Sequence, residues 1–219
     1  KFFRNSGEEF LPGERRTVMS GTIICYGDSN TYGYDPRSFA GGRYGKNIRW
    51  TGILEEGTDW NVKNHGVNGR CIPHISSQIR FACEQAENWG EEEGPVWMAV
   101  MLGTNDLLQE PGFTARDAAM RMESFMRKLD GTEAVKRGNL RLWLLSPPCM
   151  KRGAWVEEER LCRESEKLGQ EYRKAAERLG IKFTDTGKWE IPVLFDGVHF
   201  SEEGHRKFAD RILEAVRRF

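Results

Sequence analysis

The chain has no excess of either charge: 33 Lys+Arg balance 33 Asp+Glu, for a formal net charge of +0. No overall positive field is then available to draw it onto nucleic acid or an anionic membrane, so neither is expected as a partner. It also lacks a long apolar run. The longest, at 96–102, is far shorter than the roughly 20 residues that cross a bilayer, and no apolar segment with a small-residue cleavage site opens the sequence. The five cysteines, Cys25, Cys71, Cys83, Cys149 and Cys162, are odd in number and scattered, without a C-x-x-C pair. They read as reduced thiols of a cytoplasmic protein, not as a disulfide framework or a zinc site. His65, His74 and His205 lack ligand spacing such as H-E-x-x-H, so no metal and no cofactor is expected. Repeats, low-complexity tracts and Pro/Ser-rich linkers are missing too, which leaves one domain as the simplest division. The polar stretch 1–18, ahead of Met19, is set apart as a leader of vector origin, and residues 19–219 are read as the domain.

What is present is an alternation. TIICY at 22–26, VWMAVML at 96–102 and LRLWLL at 140–145 are short apolar runs ended by glycine or by Ser146-Pro147-Pro148, the pattern of strands buried on both faces. A more polar strand at 60–64 and a short one at 181–184 make five. Helical spacing of apolar residues occupies 75–89, 114–129, 157–179 and 202–219. In the last of these Phe208, Ile212 and Val216 share a face, and Ser201 is the expected N-cap, with Glu202 and Glu203 complementing the dipole. Strands and helices alternate with connections too long for hairpins. This predicts an α/β fold, a three-layer α/β/α sandwich around a parallel sheet of about five strands. Gly41-Gly42, with Arg37, Arg43 and Lys46, marks a long loop after the first strand.

Open parallel sheets bind ligands beyond the carboxyl ends of their strands. The residues expected there are Gly27-Asp28-Ser29-Asn30, Gly66-Val67-Asn68-Gly69, Gly103-Thr104-Asn105-Asp106 and, after the fifth strand, Asp196-Gly197-Val198-His199. A serine hydroxyl becomes a useful nucleophile when a neutral imidazole takes its proton and a carboxylate holds that imidazole in the right tautomer. Ser29, His199 and Asp196 fit those needs. The Ser29 amide, the Gly69 amide and the Asn105 side chain could receive the oxyanion of a tetrahedral intermediate. Asp28 and Asp106 are read instead as acceptors of loop amides.

These blocks, in this order from Gly21 to the C-terminus, resemble those of the SGNH, or GDSL-type, hydrolase family. The resemblance implies a flavodoxin-like SGNH fold, Ser29 as nucleophile, Asp196 and His199 as acid and base, and Ser29, Gly69 and Asn105 as the oxyanion hole. Arg49-Trp50-Thr51-Gly52, the block 101–106 and Ser146-Pro147-Pro148 are similar to the arylesterase and acyltransferase branch, which implies short acyl esters. Asn30 stands where the family has leucine and, not being chemical, is expected to be neutral. Asn68 replaces the usual serine, which leaves Gly66 as a rival to Gly69. The G-x-S-x-G nucleophile elbow is absent.

The expected activity is therefore a serine esterase for short-chain carboxylic esters, with a small ester as its partner. Sugar deacetylation, thioesterase or lysophospholipase activity, and a catalytically silent carbohydrate- or protein-binding module are the competing readings. Among the aromatics near the site loops, Tyr32, Tyr34, Trp50, Trp155, Trp189 and Phe195, the expected substrate-binding residues are Trp50 and Tyr32. Self-association into a homo-oligomer is a weaker expectation from the neutral charge.

Overall fold

Side chains along β1 (Gly21–Gly27) point alternately to two faces, and both faces are buried. Ile23 and Cys25 pack with Trp50, Phe208 and Ile212, while Ile24 and Tyr26 pack with Ala82, Phe125 and Leu168. A strand apolar on both faces needs helices on both sides, and the computed structural model, which describes residues 21–38 and 41–219, has them. The expected leader at 1–18 lies outside the described residues.

The other strands are β2 (Trp60–Gly66), β3 (Val96–Met101), β4 (Leu140–Leu145) and β5 (Lys182–Thr184). All pair in parallel in the order β2-β1-β3-β4-β5, the flavodoxin-like order. The chain moves outward from β1 to β2, then crosses back to β3, so the strand order reverses between β1 and β3. Gly27 lies opposite Gly66 on one side and Met101 on the other, which brings the carboxyl ends of three strands level. That reversal opens a crevice where their following loops meet.

Four longer helices occupy the segments expected of them: α3 (Ser76–Trp89), α5 (Ala115–Asp130), α7 (Glu159–Leu179) and α8 (Glu202–Val216). α3, α5 and α7 cover one face, and α8 covers the other. Local chemistry sets their ends. Thr114 and Asp117 form a capping box on α5, Ser201 accepts the Gly204 amide at 3.0 Å to cap α8, and Gly180 ends α7 at φ 67°. Four short helices fall where the sequence reads as loop: α1 (Ser29–Tyr32), α2 (Trp50–Glu56), α4 (Thr104–Gln109) and α6 (Glu133–Lys136). None is long enough to display a helical period. α2 packs beside α8, so part of the long segment after β1 belongs to the second helical layer.

Candidate active site

β1 stops at Gly27, where a Cβ would lie 2.1 Å from Thr31 Oγ1, so only glycine lets the chain turn this tightly into α1. Asp28 caps α1, its Oδ1 accepting the Asn30 amide at 2.9 Å. Burial pushes the Asp28 carboxyl up to about 6. Asp106 accepts the Ile72 amide at 3.0 Å and is paired with Arg121 at 2.8 Å. Each aspartate holds a loop.

Ser29 follows the turn. Its Oγ lies 2.9 Å from His199 Nε2, and His199 Nδ1 lies 2.7 Å from Asp196 Oδ2. Asp196 Oδ1 accepts the amides of Val198 at 2.9 Å and His199 at 3.0 Å. Burial alone would raise this carboxyl, but the bonds from the His199 ring and the two amides outweigh it and hold Asp196 below the usual carboxylate range. An ionised Asp196 can only accept, so Nδ1 carries a ring proton and Nε2 is the nitrogen that faces Ser29. Asp196 and His199 do not directly follow β5. A 3₁₀ turn, Thr186–Trp189, and an irregular stretch closed by the Val193–Phe200 bridge bring the chain back to Ser29.

Asn30 does more than the sequence suggests. Its Nδ2 donates to the Val198 carbonyl at 3.1 Å and its Oδ1 accepts the Phe200 amide at 3.0 Å, all buried. A leucine could make neither bond, so this position ties α1 to the backbone on both sides of His199, a structural role that the sequence did not suggest. The signal was an amide beside the nucleophile, but its partners lie 168 and 170 residues away.

Gly69 stands at φ +72°, a conformation glycine adopts freely, with open space where a Cβ would sit. The rival Gly66 is committed elsewhere: its amide donates to Asn64 Oδ1 at 3.0 Å, and a Cβ there would meet the Tyr32 nitrogen at 2.1 Å. Asn105 Nδ2 gives one hydrogen to the Arg70 carbonyl at 3.1 Å, keeping the second for another acceptor. Gln109, one turn further along α4, donates to the Gly69 carbonyl at 3.4 Å and lies 3.5 Å from Asn105 Oδ1. It ties the two candidate oxyanion groups together and was not anticipated. A cavity of about 550 Å³ opens beside Gly69, lined by Val67, Arg70, Phe81 and Gln109.

The aromatics divide differently from expectation. Trp50 is 1% exposed, its ring edge-on to Phe208 and its Nε1 donating to the Asn30 carbonyl at 3.1 Å. It is a core residue bracing α1, which corrects its expected place against a substrate. Tyr32 is half-buried under the Arg43 guanidinium. Tyr34 and Trp155 are the rings beside the imidazole, with centroids 4.8 and 5.0 Å from that of His199. Among the described residues no group of three His, Cys, Asp or Glu side chains could hold a metal, and no helix is long and apolar enough to cross a membrane.

Residues 25–207 match the family model described as GDSL-like lipase/acylhydrolase. None of the curated protein sequences matches. Among solved structures, a carbohydrate acetylesterase family member from Sinorhizobium meliloti is 26% identical, with a TM-score of 0.76 over 90% of this chain and 97% of its own. The aryl esterase of M. smegmatis is 23% identical, with a TM-score of 0.75 over 90% and 98% of the two chains. A member of the lipolytic G-D-S-L family from Veillonella parvula DSM 2008 is 21% identical, with a TM-score of 0.65 over 91% and 100%.

Proposed function

The chain belongs to the GDSL-like lipase/acylhydrolase family, and within it we propose a serine esterase that hydrolyses short-chain carboxylic esters through an acyl-enzyme. The observation that carries this reading is the unbroken line from Asp196 through His199 to Ser29, at 2.7 and 2.9 Å. Ser29 Oγ bonds to the ester carbonyl carbon as its proton passes to His199 Nε2. The imidazolium so formed is stabilised by Asp196, already ionised and held by two amides. The oxyanion takes the Ser29 and Gly69 amides and the free Asn105 hydrogen. The carbon–oxygen bond to the alcohol then breaks, the departing oxygen taking the proton back from His199. Water repeats the sequence on the acyl-enzyme, passing its proton to His199 and releasing the acid as Ser29 Oγ is reprotonated.

Removal of acetyl groups from sugars is the second reading, favoured by the 26% identity to a carbohydrate acetylesterase family member. The test is labelling by a fluorophosphonate probe, mapped by peptide mass spectrometry, beside turnover of p-nitrophenyl acetate, butyrate and octanoate. The reading expects the label on Ser29 and preference for the shorter esters. An unlabelled Ser29 would contradict the nucleophile, and a strong octanoate preference the short acyl group.

A further inference from the structure

We infer that Tyr34 and the turn carrying Trp155 form a subsite for the alcohol half of the ester, shaped for an alcohol that presents a flat ring face. This rests on the serine-esterase reading and deepens it. In acyl transfer the departing oxygen collects its proton from the base, so it must come within hydrogen-bond reach of His199 Nε2. Whatever is attached to that oxygen therefore lies beside the groups that flank His199. Those groups are aromatic: Tyr34 at 4.8 Å and Trp155 at 5.0 Å between ring centroids.

Trp155 is 52% exposed, so a large apolar ring beside His199 stands open to solvent. An exposed tryptophan on a loose loop would mean little, but this turn is fastened to the segment that carries the acid and base. Ala154 N donates to the Phe195 carbonyl at 3.0 Å, Trp155 N to the Asp196 carbonyl at 3.0 Å and Lys151 N to the Gly197 carbonyl at 2.9 Å. Gly153 and Val156 close the turn as an antiparallel bridge, and a Cβ on Gly153 would lie 2.4 Å from the Asp196 backbone. The backbone of Trp155 is thus tied to the segment that carries Asp196 and His199, and its ring stands edge-on to the imidazole. Rings so placed reward a ligand with a broad apolar face, a phenol or a pyranose, over a small aliphatic alcohol.

The test holds the acyl group constant and varies the alcohol: phenyl acetate, a methyl xyloside monoacetate and ethyl acetate, with wild type, Trp155→Ala, Tyr34→Ala and Trp155→Phe. Each alanine variant is expected to lower kcat/KM about fivefold on at least one ring ester, the worth of one aromatic contact, and to lower it distinctly less on ethyl acetate. Trp155→Phe is expected to recover most of that loss. A selective loss on phenyl acetate identifies a phenol subsite, and one on the xyloside a sugar subsite. Equal losses on all three esters, or none, overturn the proposal, as does an enzyme that turns over none of them. Fluorophosphonate labelling of Ser29 in each variant separates the two failures. A labelled enzyme without altered selectivity sinks only the subsite, whereas an unlabelled wild type sinks the esterase reading with it.

Discussion

The side-chain amide of Asn30 donates to the Val198 carbonyl at 3.1 Å, so the residue after the proposed nucleophile grips the backbone beside the proposed base. Its oxygen takes the Phe200 amide on the other side of His199. Asn30→Leu is expected to lower kcat about 10- to 100-fold with little change in KM, since small misplacements of reacting groups cost that much. In a His199→Ala background the same change should have almost no further effect on kcat. An effect of full size there would reduce Asn30 to a stability residue. Urea titration should register the lost buried bonds as about 1 to 3 kcal/mol.

Ser29→Ala is expected to lower turnover about 10⁴- to 10⁶-fold, and Asn105→Ala about 10²- to 10³-fold. Steady-state assays on p-nitrophenyl acetate measure both. Retention of activity within tenfold in the serine variant would end the nucleophile assignment. Near-normal turnover in the asparagine variant would remove Asn105 from the oxyanion hole.

The two glycines of the Gly66–Gly69 block should respond in opposite ways. Gly69→Ala keeps its amide and has room for the methyl group, so the cost is the left-handed φ of +72°, about 1 to 2 kcal/mol of stability. Activity is expected to stay within about tenfold. Gly66→Ala drives a Cβ into the Tyr32 nitrogen and must push β2 from α1, so activity should fall more than about 100-fold. The reverse order would reassign the oxyanion amide.

Stability should fall in acid through His205. The side chain is fully buried, and burial, followed by the charge of Arg49, lowers its pKa to about 3 from 6.5. The unfolded chain takes up a proton below pH 6.5 that the folded one refuses until about pH 3, so this group costs up to about 1.4 kcal/mol per pH unit across that window. Asp28 acts in the opposite sense. Its raised folded value of about 6 makes the folded state the better proton binder between pH 3.8 and 6, so its contribution is lost as pH rises through that range. The acid slope of unfolding free energy should therefore flatten in His205→Gln and steepen in Asp28→Asn. Unchanged slopes in both would refute the assignment.

The five strands and four long helices were legible because each announces itself locally, through an apolar run or a repeat of three and four. Ser29, Gly69 and Asn105 were legible as candidates placed just after β1, β2 and β3, whereas Asp196 and His199 reach Ser29 only through the stretch that follows β5. α1, α2 and α4 were not, because four to seven residues carry no period and such helices are held by what they pack against. Trp50 was misplaced for the same reason: with α2 unread, nothing indicated that its ring turns inward to Phe208. Asn30 and Gln109 act on backbone groups, and a sequence does not say which distant carbonyl will be near.

The hydrogen bond from His199 to Ser29 joins residues 170 apart. During synthesis a ribosome would emit β1 and Ser29 well before His199. On the proposed mechanism, the serine until then is an ordinary alcohol with no base to take its proton. On that mechanism, reactivity is thereby a property of the folded chain and not of the Gly27-Asp28-Ser29 segment alone.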